Sequence, residues 1–488
     1  MRRQGRWLAA LAAATALGAG VFLASCGSGL VAGIEGTGAK VATVSAGPIS
    51  RFGSIFVNGV EFTTSGATVL VNGQASTAGA LQAGDQVVVR GTVDPNGTTG
   101  TATQVEYDVS VAGPIGAANA AASTLTVLGQ TVQVGTQTTL AADTNATPSF
   151  AAFLPGTLVE VSGYEKSTGQ IAATRVTIVP ALAAYRISGR ITAVGPAAAQ
   201  FAINAETIVT GGATLSGFPA GATPQVGDRV RVDAPPLGSA AVLPADAVAL
   251  LPPLVGAAGD QGQIDGEITD FVSATQFDVD QTHVLTNAQT QYQNGAATQL
   301  AADVHVSVQG TFDASGTLTA SIVNFQASDP LLLQGPVGAV NPAAGTLSIL
   351  GVTITTDRLT QFSDESAVPV VPFDLAAISV GDEVEVHARV GAGNVLLAGL
   401  LSRERPSTEV QLRGPASFAS DPTVVVLGVT AVTSPLTRYL GPSETAITAA
   451  QFFTAAAAGA TVSLSGTWTG ASVQVATAAL PGSGELDN

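Results

Sequence analysis

Apolar and polar side chains alternate with a period of two through much of the chain. Leu158-Val159-Glu160-Val161-Ser162, His305-Val306-Ser307-Val308-Gln309 and Glu383-Val384-Glu385-Val386-His387 are examples. Successive side chains of an extended strand point to opposite faces, so this pattern predicts strands with one face buried and one outward. The runs are short and bounded by Gly, Asn and Asp, which predicts tight connections.

The runs recur in a fixed order. A hairpin pattern, alternation broken by two residues and resumed, appears as IFVNGVEF (55–62), TVLGQTVQ (126–133), FAINAETIV (201–209), FDVDQTHVL (277–285), SILGVTIT (348–355) and VVVLGVTAV (424–432). The break is Asn58-Gly59, Leu128-Gly129, Asn204-Ala205, Asp280-Gln281, Leu350-Gly351 and Leu427-Gly428. Asn-Gly is a strong two-residue hairpin signal because both residues accept positive φ. Leu-Gly fits that turn less well, so those copies are expected to carry a bulged turn in which only the glycine is left-handed.

Each hairpin follows a glycine-led landmark: Gly47-Pro48-Ile49, Gly113-Pro114-Ile115, Gly189-Arg190-Ile191, Gly266-Glu267-Ile268, Gly335-Pro336-Val337 and Gly414-Pro415-Ala416. Downstream of each hairpin comes a turn and a strictly alternating strand, GDQVVVRG (84–91) in the first copy, and then a closing strand, ATQVEY (102–107). The repeat is therefore a unit of about 70 residues with five short strands. Between its third and fourth strands lies a variable stretch that reads as a short helix in SETAITAAQFFTAAAAG (443–459). The predicted fold class is all-β: six tandem small antiparallel β-barrel-like modules, OB-like and five-stranded, with small β-sandwiches as the alternative. The modules are assigned to 45–110, 111–180, 184–251, 260–328, 331–404 and 408–481. They are expected in series, joined by short linkers such as PPLVGAAGD (252–260).

This order of glycine landmark, hairpin, Gly-Asp strand and closing strand resembles a family of secreted bacterial repeat domains known as domain of unknown function 5666. The first copy carries the pattern most fully, and the third lacks both the hairpin glycine and the glycine that closes the fourth strand. The resemblance implies a bacterial envelope protein of tandem β-modules and brings no activity with it.

Composition agrees with a folded, strand-rich chain. Hydrophobic residues make up 46%, charged residues only 11%, and there are 56 Gly and 25 Pro, whereas disordered chains are low in hydrophobicity. The formal net charge is −17, which repels phosphate backbones and disfavours a nucleic-acid partner.

The N-terminus reads as an export signal over 1–25: Arg2, Arg3 and Arg6, then an apolar run from Trp7 to Phe22. Leu23-Ala24-Ser25-Cys26 resembles the lipobox of bacterial lipoproteins, and Cys26 is the chain's one cysteine. It has no intramolecular disulfide partner. The resemblance implies cleavage before Cys26 and its acylation, with a Gly-rich lipidated tether over 26–44. More than one acyl chain is needed for firm anchoring. Gly27 after the cysteine favours the outer membrane, by analogy with enteric bacteria.

Candidate chemistry is sparse. The histidines His283, His305 and His387 have no metal-ligand spacing and are expected as polar members of alternating strands. Asp85, Asp228 and Asp382, with Asp303 placed alongside them, are expected to accept backbone N–H bonds in a turn before the fourth strand. Asp278 with Asp280, and Asp94 with Asn96, lack a calcium-loop spacing. No nucleophile-elbow or phosphate-loop motif is found. Trp468 is expected in the core or at its rim rather than as a sugar platform. The chain is thus expected to be a non-catalytic envelope protein without cofactor or metal. It would be held to the membrane by its N-terminal lipid and offer its modules to an envelope protein or glycan. The alternative is a receptor for a small ligand or glycan in a barrel mouth or inter-module cleft.

Overall fold

Module 4 shows the repeating unit most clearly. Its first strand, Gln261–Ser273, is antiparallel to the second, Gln276–Val279, and to the fourth, His305–Phe312. The second turns back into the third, Thr282–Leu285, which lies parallel to the fifth, Leu318–Phe325. The fourth and fifth pair antiparallel and complete a ring in the order 1-2-3-5-4. Each strand has two neighbours, so the sheet closes as a barrel and leaves no edge. The same ring recurs in module 1, module 2, module 5 and module 6. The barrel, rather than the sandwich, is the architecture. This description comes from a computed structural model. It covers residues 40–480 apart from 52–53, 143–147, 196–198, 237–241, 281, 327–328 and 443–444. The export signal expected over 1–25 and Cys26 lie outside the described residues. The tether expected over 26–44 overlaps the first strand of module 1, which runs Val41–Arg51.

The stretch after the hairpin continues the third strand. In module 2, Gln130–Ala142 runs beside the fifth strand over two segments, Val132↔Ile171 and Leu140↔Val176. In module 5 the same path is broken into Val352–Thr355 and Gln361–Asp364. An α-helix, Ala449–Ala457, occupies the connection to the fourth strand in module 6, capped by Thr448 and Gln451 and burying Phe452 and Phe453. Other modules place single 3₁₀ turns there, such as Leu375–Ala377. Module 3 keeps the neighbours but interrupts its first and fifth strands, and its ring is divided into two half-sheets.

The Leu-Gly turns differ from expectation. Leu128, Leu350 and Leu427 have φ of 43°, 51° and 52°, and the glycines that follow are also positive. A two-residue loop between right-twisted strands needs both residues left-handed. A left-handed leucine costs about 1–2 kcal/mol, and burial offsets it. Leu350 is 5% exposed. A Cβ on Gly113 would stand 2.6 Å from Leu128 Cγ, and one on Gly335 would stand 3.0 Å from Leu350 Cδ2. The glycine landmark is thus the floor on which the turn leucine sits. Gly113→Ala is expected to lower stability by about 2 kcal/mol through this clash. Thermal melting of the single variant and of Gly113→Ala/Leu128→Asn checks it. The double variant should recover part of the loss.

A second glycine forms the closing bulge. The register between fourth and fifth strands slips at Gly91, Gly163, Gly310 and Gly466, where a Cβ would lie 2.0–2.3 Å from a carbonyl oxygen of the facing strand. In module 5 the fourth strand has Ala388 there, and the unpaired residue of the facing strand is Gly399.

The barrels are not strung in series, contrary to the sequence expectation. Their first strands pair across modules. Modules 2 and 3 join antiparallel through Val111↔Ile187, and modules 5 and 6 through Leu333↔Leu412. Modules 1 and 4, far apart in sequence, join in parallel from Thr43↔Gln261 to Ala46↔Ile264. The apolar core is continuous across modules 2 and 3 and across modules 5 and 6, and Val44 and Ala46 of module 1 complete the core of module 4. The stretch 252–260 is packed rather than free: Leu254 is buried, its carbonyl accepts from Thr282, and the Val255 carbonyl accepts from Arg90. Alternating strands make this possible. Their outward faces carry small or hydrogen-bonding side chains that another module can cover.

Candidate functional site

The first strand of module 4 sends Ile264 and Ile268 into its own barrel, and both are fully buried. Asp265 and Glu267 alternate to the other side, yet they too are only 7% exposed, because module 2 covers them. Burying carboxylates demands partners. Tyr164, on the fourth strand of module 2, donates its hydroxyl to Asp265 Oδ2 at 2.5 Å. His305, directly opposite Glu267 in the strand register, places Nε2 3.2 Å from Asp265 Oδ1, and its ring meets the Tyr164 ring edge-on at 4.7 Å. Gln326 donates to the same Asp265 oxygen at 3.4 Å. Glu267 Oε2 is buried and has no hydrogen-bond partner.

The electrostatics follow from this geometry. Burial works against a charged His305 ring, but the Asp265 carboxylate, with Glu267 behind it, outweighs that and raises the imidazole pKa. Burial raises Glu267 above the usual carboxylate range, and His305 only partly opposes it. The Tyr164 hydroxyl is pushed up by burial and by Asp265, so it stays a donor.

A cavity of about 230 Å³ opens on this cluster. It is lined by Gln133, Thr136, Gln137, Thr138, Tyr164, Ala172, Thr174, Glu267, His305 and Gln326, among others. A second chamber of about 100 Å³, reaching Asn58, Gln361 and Arg389 of modules 1 and 5, shares Gln137, Tyr164, Thr174, His305 and Gln326 with it. The arrangement can hold a small polar molecule against a carboxylate, among amide and hydroxyl groups. A further cavity of about 110 Å³ lies between modules 2, 5 and 6, beside His387 and Glu404.

The histidines are not brought together. His283 bonds Asp278 across its hairpin at 2.6 Å, and His387 bonds Glu385 at 2.9 Å. Among the described residues no group of three His, Cys, Asp or Glu side chains is placed to hold a metal ion. Asp85, Asp228 and Asp382 accept from the backbone N–H groups of Gln82, Gln225 and Ser379 at 2.8–2.9 Å. Asp303 does not belong with them. Its φ of 64° and its N–H bond to the Ile268 carbonyl place it where Gly84 stands in module 1, with φ 91° bonding Ile49. Its carboxylate instead accepts from Ser167 of module 2 at 2.8 Å. Asp94 is held by Lys40 and Thr99, and Asn96 caps its own loop. Asp280 sits in its hairpin turn facing Arg229. Trp468 packs, partly buried, against the core of modules 5 and 6.

Sequence reasoning missed the Asp265–Glu267–His305–Tyr164 cluster because its members come from two modules. One signal was present. Where module 4 has Glu267, modules 1, 2, 5 and 6 have Pro48, Pro114, Pro336 and Pro415, and module 3 has Arg190.

A buried acid away from the cleft gives a test of pH dependence. Glu383 is 4% exposed, its Oε1 has no partner, and burial pushes its pKa up to about 7. An acid with a raised folded pKa favours the native state when protonated. Stability is therefore lost as pH rises from the ordinary glutamate range through about 7. Glu383→Gln should melt like the wild type at pH 5 and be more stable at pH 8, by on the order of 2 kcal/mol. Equal melting temperatures at pH 8 would contradict this.

Comparison with known families follows the same repeat. The family model described as Domain of unknown function (DUF5666) matches residues 41–106, 112–177, 188–243, 265–323 and 334–400, more than half of the chain. The sixth module lies beyond these matches but has the same ring of strands. No curated protein matches the chain.

Proposed function

The chain belongs to the family described as domain of unknown function DUF5666, and on that premise we propose that it is an exported, lipid-anchored, non-catalytic protein of the bacterial envelope. It presents its β-modules as a preformed interaction or structural surface. The observation that carries this reading is where the scarce cations go. The whole chain has 18 Lys and Arg, and arginines clamp one module to another. Arg175 of module 2 donates to the Ala83 carbonyl of module 1 at 3.0 Å and reaches Glu365 of module 5 at 3.4 Å. Arg229 of module 3 faces Glu165 of module 2 and Asp280 of module 4, both at 3.7 Å. Arg51 of module 1 donates to the Asp357 carbonyl of module 5 at 2.6 Å. Charge spent on holding modules in register favours a rigid body, which loses little entropy when a partner docks. The lipobox-like Leu23-Ala24-Ser25-Cys26 supplies the anchor, and the outer membrane is its destination.

The test is fractionation. Wild-type protein should sediment with membranes and label with a fatty-acid probe, and Cys26→Ala should do neither. A Cys26→Ala protein that still sediments in full would overturn the anchor. Turnover of an ester, glycoside or peptide by the purified protein would overturn the non-catalytic reading. A second reading, a receptor for a small ligand, is favoured by the departure of module 4 from the other copies at Asp265 and Glu267.

A further inference from the structure

We infer that the cleft between modules 2 and 4 binds a small hydroxylated organic amine, with its ammonium on the Glu267 carboxylate. The inference deepens the receptor reading and rests on it; it does not rest on the lipid anchor.

The first support is the state of Glu267. It is 7% exposed, it lines a cavity of about 230 Å³, and its Oε2 has no hydrogen-bond partner. A buried carboxylate oxygen without a donor is costly, and a carboxylate can only accept. The missing group is therefore a donor. Three nearby side chains turn a donor to Asp265 instead. The Tyr164 hydroxyl and the Gln326 amide go to Asp265, and His305 pairs with Asp265 as well. Lys166 and Asp303 also act on Glu267 at longer range, with opposite sign, and Lys166 forms no ion pair with it among the described residues.

The second support is the character of the lining. Asp265 and Glu267 face one imidazole, so the cluster is net acidic even when His305 is protonated. A cation meets that charge, and an ammonium makes the stronger, charge-assisted bond. A metal ion is a poor occupant, since the described residues do not supply three ligating side chains together. The rest of the wall is amide and hydroxyl: Gln133, Thr136, Thr138 and Thr174. Thr138, Thr174 and Gln133 donate to backbone carbonyls, so their oxygens are left to accept from hydroxyl groups on the ligand body. The space exceeds what a single water needs and accepts a molecule the size of an amino sugar.

The third support is that the site exists in one copy. Glu267 replaces the proline of modules 1, 2, 5 and 6, and His305 replaces Gln86 of module 1 at the facing register position. Removing a proline at that position frees an outward side chain to carry charge.

The experiment is isothermal titration calorimetry on the mature full-length protein at pH 7, with glucosamine and ethanolamine as amine probes and glucose as the neutral hydroxylated control. Saturable binding of glucosamine is expected, with glucose at least tenfold weaker. Glu267→Gln, which keeps the side-chain volume, should weaken glucosamine at least tenfold while melting near the wild-type temperature. Ala172→Leu narrows the cavity without touching the carboxylate and should weaken binding as well. It serves as the test if Glu267→Gln does not fold. The inference is overturned if neither amine gives saturable heat, if glucose binds as tightly as glucosamine, or if the folded variants bind like wild type. Tight binding of glucose would leave the receptor reading standing and remove only the amine. Absence of binding by all three probes would count against both. Neither result touches the Cys26 fractionation.

Discussion

Asp329→Ala is expected to destabilise the protein by about 3 kcal/mol, which would appear as a drop of several degrees in melting temperature. Asp329 precedes the first strand of module 5 and its side chain is fully buried. It receives Arg389 Nη1 at 3.0 Å and the Gln137 amide of module 2 at 2.7 Å. Burial raises its pKa against the pull of Arg389, so the pair is held at a desolvation cost that only intact geometry offsets. Gly399 belongs to this clamp, because a Cβ there would fall 1.6 Å from Asp329 Oδ2. Removing the carboxylate leaves a partly buried guanidinium without its counter-ion and loosens module 5 from module 2. Asp329→Asn should lose less, since it keeps the volume and an acceptor. The contrast is Asp94→Ala at the solvent-screened Lys40 pair, where a much smaller loss is expected. Equal losses at the two sites would mean that the buried clamp has no special weight.

Phe277→Ala should cost about 3–5 kcal/mol. Phe277 is fully buried among Ile264, Ile268, Val306 and Phe312 of module 4. The size of the loss is ordinary for a core aromatic, and the shape of the transition carries the information. Module 4 shares strand pairing with module 1 and a polar cluster with module 2. The variant should therefore lower one broad cooperative transition seen by calorimetry. Independent beads would instead give an early-melting module and leave the remainder unchanged.

The ring of strands was legible because its determinants are local. Period-two runs such as His305–Gln309 give a strand and its buried face, and Asn58-Gly59 gives the turn that folds one strand on the next. The Leu-Gly turns were misjudged because Leu128 is affordable only when Gly113, distant in sequence, leaves room for it. Asp303 was misplaced by one residue for a related reason: a left-handed aspartate and a turn-capping aspartate look the same in a sequence. The assembly and the cleft were not legible. Asp265, Glu267, Tyr164 and Arg175 occupy outward positions, where the pattern reads as a solvated face. Whether water or another barrel covers that face depends on pairings such as Thr43↔Gln261, which no periodicity encodes. The proline-to-glutamate change at Glu267 was visible, but only the packing of module 2 gives it meaning.

Small-angle X-ray scattering on residues 40–480 tests most directly whether the barrels form one body. A compact chain of this length has a radius of gyration of about 22 Å, and that value, unchanged between low and moderate salt, is what the strand pairings and buried clamps predict. A value roughly twice as large, with scattering typical of a jointed string, would contradict the account.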